Sequence, residues 1–497
     1  MTPDLVLAPG MVPYLVGGVL LGIVVGAVPG LTATLAISLL LPLTFTLPAA
    51  PAIVMMTGIF TGGIYGGSIA AITLRIPGAP ASAMTMLDGH AMAQQGRAGS
   101  AIALATTSSF VGGIAGGVAL VLFAPQLARV ALEFQSPEMF ALVVLALTAV
   151  ATITPESLAK GAAATVIGLM LATVGIDHLV PVPRFTFGSV NLLVGVPLIP
   201  VVIGLFAVTE LLQQSGEADR DVGSATGIAL GSTAAWWADV RAAGWPTFVK
   251  SPVIGTLVGA LPGAGAAMAA FLSYSEARRS SKHPERFGTG IPEGIVAPEA
   301  ANNAMTGGAF IPLLAFGIPG DAVTAVILGG LVIHGITPGP QLFAGADGLV
   351  NVLFGAYFLS YVLILVFGLL LTPVFSRITR VPRAVLFPLI GSLAVVAAYT
   401  SEGTAFAIYL TVGVGVLGYL MRRFGYPLIP VLLGLILGPM LESNFRRSMI
   451  LSEGDPTVFV RSPVAVVILL AAVAFPAWTL WRRVGGEEIQ QEQASAL

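Results

Sequence analysis

Four polar side chains stand together in an otherwise apolar stretch: Glu299, Asn302, Asn303 and Thr306. On a helix, spacings of three, four and seven residues place them on one face. Each carboxamide offers a carbonyl and an amide, so this face can hold Na+ or receive a substrate carboxylate. The competing structural reading is interhelical hydrogen bonding, worth about 0.6–2 kcal/mol per bond in a membrane. Four polar groups beside the pair Gly307 and Gly308 exceed what packing needs, which favours binding.

Other candidates lie near glycine–proline elements. Thr32 and Thr34 follow Pro29–Gly30, and Ser68 and Thr73 precede Pro77–Gly78. Their hydroxyls can join exposed carbonyls around a cation, although a lone hydroxyl more often bonds back to its own helix. Arg75 and Asp321 flank the two Ile-Pro-Gly triplets. Arg75 can clamp a carboxylate with two parallel bonds or snorkel at a helix end. Asp321 can serve as a cation ligand, a proton site or a helix N-cap, and an Arg75–Asp321 ion pair is a third, weaker option. Asp88, followed by Gly89, reads as a surface turn former. His334 lies in an apolar stretch and suits either proton relay or a structural hydrogen bond. Glu442, Arg446 and Arg447 read as interhelix pairing or a subunit contact.

The elements that must position these groups follow from the composition. The 497 residues are 56% hydrophobic and 9% charged, with a mean hydropathy of +0.94. A soluble domain carries about a quarter charged residues, so this chain belongs in a lipid bilayer. Net charge is −2 and there is no long basic run, which argues against nucleic acid as a partner. The absence of cysteine excludes disulfides and thiolate chemistry. Residues 1–10 lack the basic region of a cleavable signal peptide, so the first apolar segment is expected to remain as a span. Thirteen apolar stretches lie between residues 11 and 481, some too short for one crossing and two too long. They predict an all-α polytopic membrane protein with about 10–13 membrane segments. Basic residues at 278–286, 377–383, 422–423 and 482–483 mark cytoplasmic connections, whereas Arg446 and Arg447 fall on the wrong side if 427–441 crosses fully, which leaves a re-entrant segment as the alternative there. A polar seam at 213–250, carrying Trp236, Trp237 and Trp245, reads as an interfacial linker. It separates a first repeat, 1–212, from a second, 251–481, with 482–497 as a cytoplasmic tail.

The halves resemble each other. VVGAVPGLTAT at 24–34 matches LVGALPGAGAA at 257–267, and YGGSIAAITLRIPGAPASA at 65–83 matches TGGAFIPLLAFGIPGDAVTA at 306–325. A Pro-Gly pair breaks a helix, because proline lacks the amide hydrogen and glycine permits a reversed backbone. Broken backbone at membrane depth survives only against protein or a water-filled cavity. Interruptions at matching positions of two halves therefore point to a transporter site, with half-helix N-termini facing an anionic substrate. Single Pro-Gly pairs are common as kinks; two different breaks recurring in order are not. Five apolar stretches separate the first and second breaks, and an odd count inverts the second half, so inverted repeats with discontinuous helices are expected.

At these motifs the sequence resembles the large membrane subunit (TctA-like) of the tripartite tricarboxylate transporter family. The resemblance rests on GAVPGLTA at 26–33, YGGSIAAI at 65–72, IPGAPASA at 76–83 and DGHAMAQQGRAG at 88–99. Further matches are PEAANNAMTGG at 298–308, GIPGDAVTAVILGG at 317–330, IHGITPGPQLF at 333–343 and GPMLESNFRRSMILSEGD at 438–455. Arg75, His90 and Asp321 depart from the usual pattern. The resemblance implies a periplasmic substrate-binding protein, a small membrane subunit of about four helices and ion-gradient-driven import of an organic carboxylate across a bacterial inner membrane. It allows a homodimer of the complex. No cofactor is expected beyond coupling Na+ or H+, and no G-x-x-x-x-G-K-[ST] phosphate loop occurs.

The substrate is thus expected at Pro29, Gly30, Thr32, Thr34, Arg75, Pro77, Gly78, Pro262, Gly263, Gly265, Asn302, Asn303, Pro319 and Gly320. Candidate Na+ ligands are Ser68, Thr73, Glu299, Asn302, Asn303, Thr306 and Asp321. Alternating access, in an elevator-like form, is the expected mechanism; a carboxylate or ion channel without gradient coupling is the alternative, although no concentrated filter of carbonyls or like charges is visible. An enzyme is disfavoured by four histidines, no cysteine and no HExxH or GxSxG motif.

Overall fold

A computed structural model describes residues 10–153, 157–177, 179–215, 233–344, 348–374, 381, 383–477 and 479. The sequence expectations for 1–9, for most of the seam (216–232), for Arg377, Arg380 and the 482–497 tail lie outside the described residues. Among the described residues the chain is all-α apart from one two-stranded hairpin, β1 (Gly175–Ile176) and β2 (Pro183–Arg184). Among the described residues, six helices are long and apolar enough to cross a membrane, with six shorter apolar helices beside them. The chain forms two compact units.

The larger unit comprises residues 1–132 and 199–419. Its first half begins with α1 (Val12–Ala27), α2 (Ala33–Leu40), α3 (Ala49–Leu74), α4 (Ala83–Met92) and α5 (Ala98–Ala131). Pro29–Gly30 ends α1, with Gly30 at φ +85°, and the chain restarts as α2. The apolar stretch 11–47 is therefore two helices joined by a break, which is why it looked too long for one span. Glycines let α1 lie directly on α3: a Cβ added at Gly22 would come 2.6 Å from the Ile59 carbonyl oxygen, and one at Gly26 2.3 Å from that of Gly63. Numbering rises together along both helices, so they run parallel.

Two short helices, α6 (Ser136–Ile153) and α7 (Leu158–Ala172), belong to the smaller unit. In the larger unit follow α8 (Leu198–Val202) and α9 (Thr209–Ser215), joined by a π turn, then α10 (Thr233–Ala243). The second half repeats the first: α11 (Trp245–Gly259), a break at Pro262–Gly263, α12 (Gly265–Ser280), α13 (Glu293–Phe316), the Ile-Pro-Gly turn and α14 (Ala322–Ile333). Gly255 meets the Ala301 carbonyl and Gly259 that of Met305, repeating the α1–α3 contact between α11 and α13. After α15 (Gln341–Ala344) comes α16 (Leu349–Leu370).

The relative direction of the halves can be read from side-chain register. Gly112 and Gly116 of α5 meet the carbonyls of Ala300 and Ala304, so α5 runs parallel to α13. Gly113 meets Tyr361 and Gly117 meets Tyr357, so α5 and α16 are antiparallel. Thr61 bonds Ser360 and Tyr65 faces Gly368, so α16 runs parallel to α3. Hence α3 and α13 are antiparallel, and the repeats are inverted. The halves also exchange braces: α5 of the first packs on α13 of the second, and α16 of the second on α3 of the first. The remaining helices of this unit are α17 (Arg383–Glu402) and α18 (Ala405–Arg423), whose last residues pass into the smaller unit.

The smaller unit contains residues 133–198 and 420–497. Here α19 (Ile429–Leu451) is one continuous helix lying parallel to α7, Gly168 against the Val431 carbonyl and Gly438 against Ala172. It is followed by α20 (Val458–Arg461). Segment 427–441 is therefore not re-entrant, and Arg446 stands at the opposite end of α19 from Arg422 and Arg423. Its charge is met there by Asp177 at 2.5 Å and Glu442 at 3.1 Å, while Arg184 pairs with Glu442 at 2.6 Å. A cluster balanced in sign explains how an arginine sits at that end without setting orientation.

Candidate functional site

Glu299, Asn302, Asn303 and Thr306 share one face of α13 and are all fully buried. The Thr85 hydroxyl of α4 donates to Glu299 Oε1 at 2.5 Å, and the Ser109 hydroxyl of α5 donates to Oε2 at 3.0 Å. Asn303 Nδ2 donates to Ser109 Oγ (2.9 Å), Asn302 Oδ1 (2.6 Å) and the Glu299 carbonyl (3.0 Å). Asn302 Nδ2 reaches the Ala81 carbonyl at 3.4 Å, tying the cluster to the turn after the first Ile-Pro-Gly. One turn along, the Thr306 hydroxyl meets those of Tyr357 and Tyr361, each at 2.8 Å, and Tyr361 donates to the Asn303 carbonyl. The cluster thus spans both halves.

The interrupted segments meet in pairs. In the first half, the Gly78 amide donates to the Gly67 carbonyl at 3.4 Å, and a Cβ on Gly78 would come 2.2 Å from the Gly26 carbonyl oxygen. In the second, a Cβ on Gly320 would come 2.4 Å from the Gly259 carbonyl oxygen, and the Gly263 amide donates to the Gly320 carbonyl at 2.8 Å. Thus Pro77–Gly78 sits on the end of α1, and Pro319–Gly320 on the end of α11. The pairs also cross between halves, since α12 packs on the 80–82 turn and α14 packs on α2.

The other expected residues stand in the following local contacts. Pro29 precedes Gly30, whose carbonyl accepts from Gln214 at 3.1 Å. Thr32 is the N-cap of α2, accepting from the Leu35 amide at 3.2 Å, and Thr34 is buried two residues on. Ser68 bonds the Tyr65 carbonyl and Thr73 that of Ile69, both at 2.7 Å within α3. Pro262 and Gly263 (φ +83°) form the second break, and Gly265 (φ +64°) opens α12. Asp321 caps α14, accepting from the Thr324 amide at 2.9 Å and hydroxyl at 2.6 Å. Arg75 closes α3 in the left-handed region at φ +56°, is exposed, and makes no hydrogen bond or ion pair among the described residues. It does not pair with Asp321. His334 lies 3.3 Å from the Thr44 hydroxyl.

One expectation is overturned. Asp88 is fully buried in α4 rather than on a surface turn, and it accepts from Tyr274 and from the amides of Gly288, Gly290 and Ile291 at 2.8–3.0 Å. Thr85, Ser109, Tyr357 and Tyr361 were missed by sequence reasoning. A signal for Ser109 was present: it shares a helix face with Gly112 and Gly116, where small residues let a neighbour approach.

Residues 12–433 match the sequence model of the tripartite tricarboxylate transporter TctA family. The chain belongs to this family. The chain is 39% identical over 471 residues to the "Uncharacterized 52.8 kDa protein in TAR-I ttuC' 3'region" of Agrobacterium vitis, covering 94% of this chain and 93% of that protein. It is also 40% identical over 215 residues to the "Uncharacterized protein in TAR-II ttuC' 3'region" of the same organism, covering 43% of this chain and 89% of that protein. No solved structure gives a significant match. Membership makes the chain a membrane transport subunit in a tripartite context, and both Ile-Pro-Gly turns and the Glu299 cluster fall inside the matched region.

Proposed function

We propose that the chain is the translocating subunit of a binding-protein-dependent importer that carries organic carboxylates across a bacterial inner membrane, driven by a cation gradient. The observation that carries this reading is the paired meeting of broken segments at equivalent places of two inverted repeats. Broken helices meeting at matching places of two inverted halves are the arrangement secondary transporters use for charged substrates. The amide ends of α2 and α12 suit carboxylate groups, and the exposed Arg75 supplies a positive charge at the end of α3. Inverted repeats also provide two outlooks of opposite sidedness, the basis of alternating access. A small membrane subunit and a periplasmic binding protein complete the reading, which the tripartite family supports.

The test is counterflow in proteoliposomes holding the three-part complex, with mono-, di- and tricarboxylates at varied Na+ and pH. Uptake that needs both the binding protein and an imposed cation gradient is expected. Flux that equilibrates carboxylate without either would establish a channel instead.

A further inference from the structure

The Glu299 cluster is chemically unfinished. Its carboxylate is fully buried, and among the described residues no Lys, Arg or His forms an ion pair with it. A buried charge without a counter-charge is costly, so a charge-neutral state needs one positive partner. A second group is also incomplete. Asn303 Nδ2 makes three hydrogen bonds, while its Oδ1 is buried with none. Packing does not require the carboxylate, because the equivalent place in the first half holds a neutral side chain. The offset of 242 that relates Gly78 to Gly320 also relates Thr61 to Asn303 and Thr57 to Glu299. Thr61 bonds Ser360 of the bracing helix at 3.0 Å, as Asn303 bonds Ser109 at 2.9 Å. The inverted halves thus share a polar crossing, and only one of them adds a negative charge.

We propose that Glu299, Asn303 and the hydroxyls of Ser109 and Thr85 form a binding site for a single Na+ ion. All the ligands are hard oxygens, the kind a small hard cation takes. One carboxylate balances one monovalent charge, whereas a divalent ion would leave an excess. A proton would neutralise Glu299 but leave Asn303 Oδ1 without a partner; Na+ engages both. Asn302 positions the site by holding the Asn303 amide and the Ala81 carbonyl together. Thr85 and Ser109 come from separate helices, so the ion links α4 and α5 to α13. This deepens the transporter reading and rests on it, assigning the coupling ion and its place.

The test uses the purified full-length chain in detergent, with 22Na+ binding and thermal unfolding in NaCl, KCl or choline chloride at constant ionic strength. Saturable binding and a stabilisation specific to Na+ are expected. Glu299→Gln should weaken Na+ affinity by about ten-fold or more while unfolding in choline chloride stays cooperative. If that variant fails to fold, Ser109→Ala, which keeps the carboxylate, should weaken affinity by a smaller factor. Equal stabilisation by K+, no Na+ effect, or undiminished Na+ binding in both variants would overturn the site. Carboxylate uptake by the complex that proceeds without Na+ would overturn the coupling role alone, whereas no carboxylate uptake under any ion would sink the transporter reading while leaving Na+ binding to stand or fall by itself.

Discussion

Asp88 shows how far a single side chain can act in this fold. Its Oδ1 receives three backbone amides from a loop some 200 residues away, and Oδ2 receives the Tyr274 hydroxyl. Asp88→Ala strands buried donors and should cost about 3 kcal/mol or more, read as a lowered unfolding midpoint in detergent. Asp88→Asn, which keeps the carbonyl acceptor, should recover part of it. Nothing near Asp88 in sequence signals this role: Asp-Gly is a local turn signal, and all its partners are distant. Arg75 carries the opposite lesson. Its left-handed backbone strains any residue with a Cβ, and glycine closes helices there without strain. Arg75→Gly should therefore stabilise the chain by about 0.5–1 kcal/mol. If Arg75 clamps substrate, the same variant raises the KM for carboxylate uptake. Stability and transport moving in opposite directions would mark strain retained for function; an unchanged KM would remove Arg75 from the substrate site.

At the scale of elements, the two Ile-Pro-Gly turns work by closeness. Gly320→Ala pushes a methyl group to 2.4 Å from a backbone carbonyl oxygen, which cannot swing aside as a side chain would. Overpacking of this kind costs about 1–3 kcal/mol. Gly78→Ala should cost a similar amount, because the inverted repeat reproduces the contact; a marked inequality in unfolding midpoints would mean that the halves are not equivalent there. The β1–β2 hairpin depends on charge. The amides of Val180 and Leu179, followed by Arg446, hold the Asp177 carboxyl below the usual carboxylate range. A carboxyl depressed in the folded state contributes fully above its unfolded value, near pH ~4, and loses that contribution as pH falls toward the folded value. Amide exchange in 175–184 should quicken as pH drops below ~4, after correction for intrinsic rates, and Asp177→Asn should abolish the dependence. The breaks themselves were legible, because proline and glycine leave few alternatives. The bracing of α3 by α16 was not, since a glycine-rich helix face does not name its partner.

For the whole molecule, the register of contacts fixes an orientation that sequence could only suggest by counting. The start of α13, near Lys282, and the start of α3, near Thr46, must lie at opposite ends of the larger unit. The chain has no cysteine, so introduced thiols report without background. Lys282→Cys should react only with reagents entering from the cytoplasm, and Thr46→Cys only with impermeant reagents added outside. Labelling of both from one side would refute the inverted arrangement. Membrane residence, the repeat and the Glu299 face were readable from composition, spacing and motif. The donors that complete the face come from α4 and α5, and only folding brings them near. The exchange of braces between halves has a further consequence. Because α5 supports the second repeat and α16 the first, each half taken alone lacks the helix that covers its own broken core. Neither half can therefore be read as a free-standing unit: cutting the chain between them uncovers the helix-packing glycine faces of α3 and α13 alike.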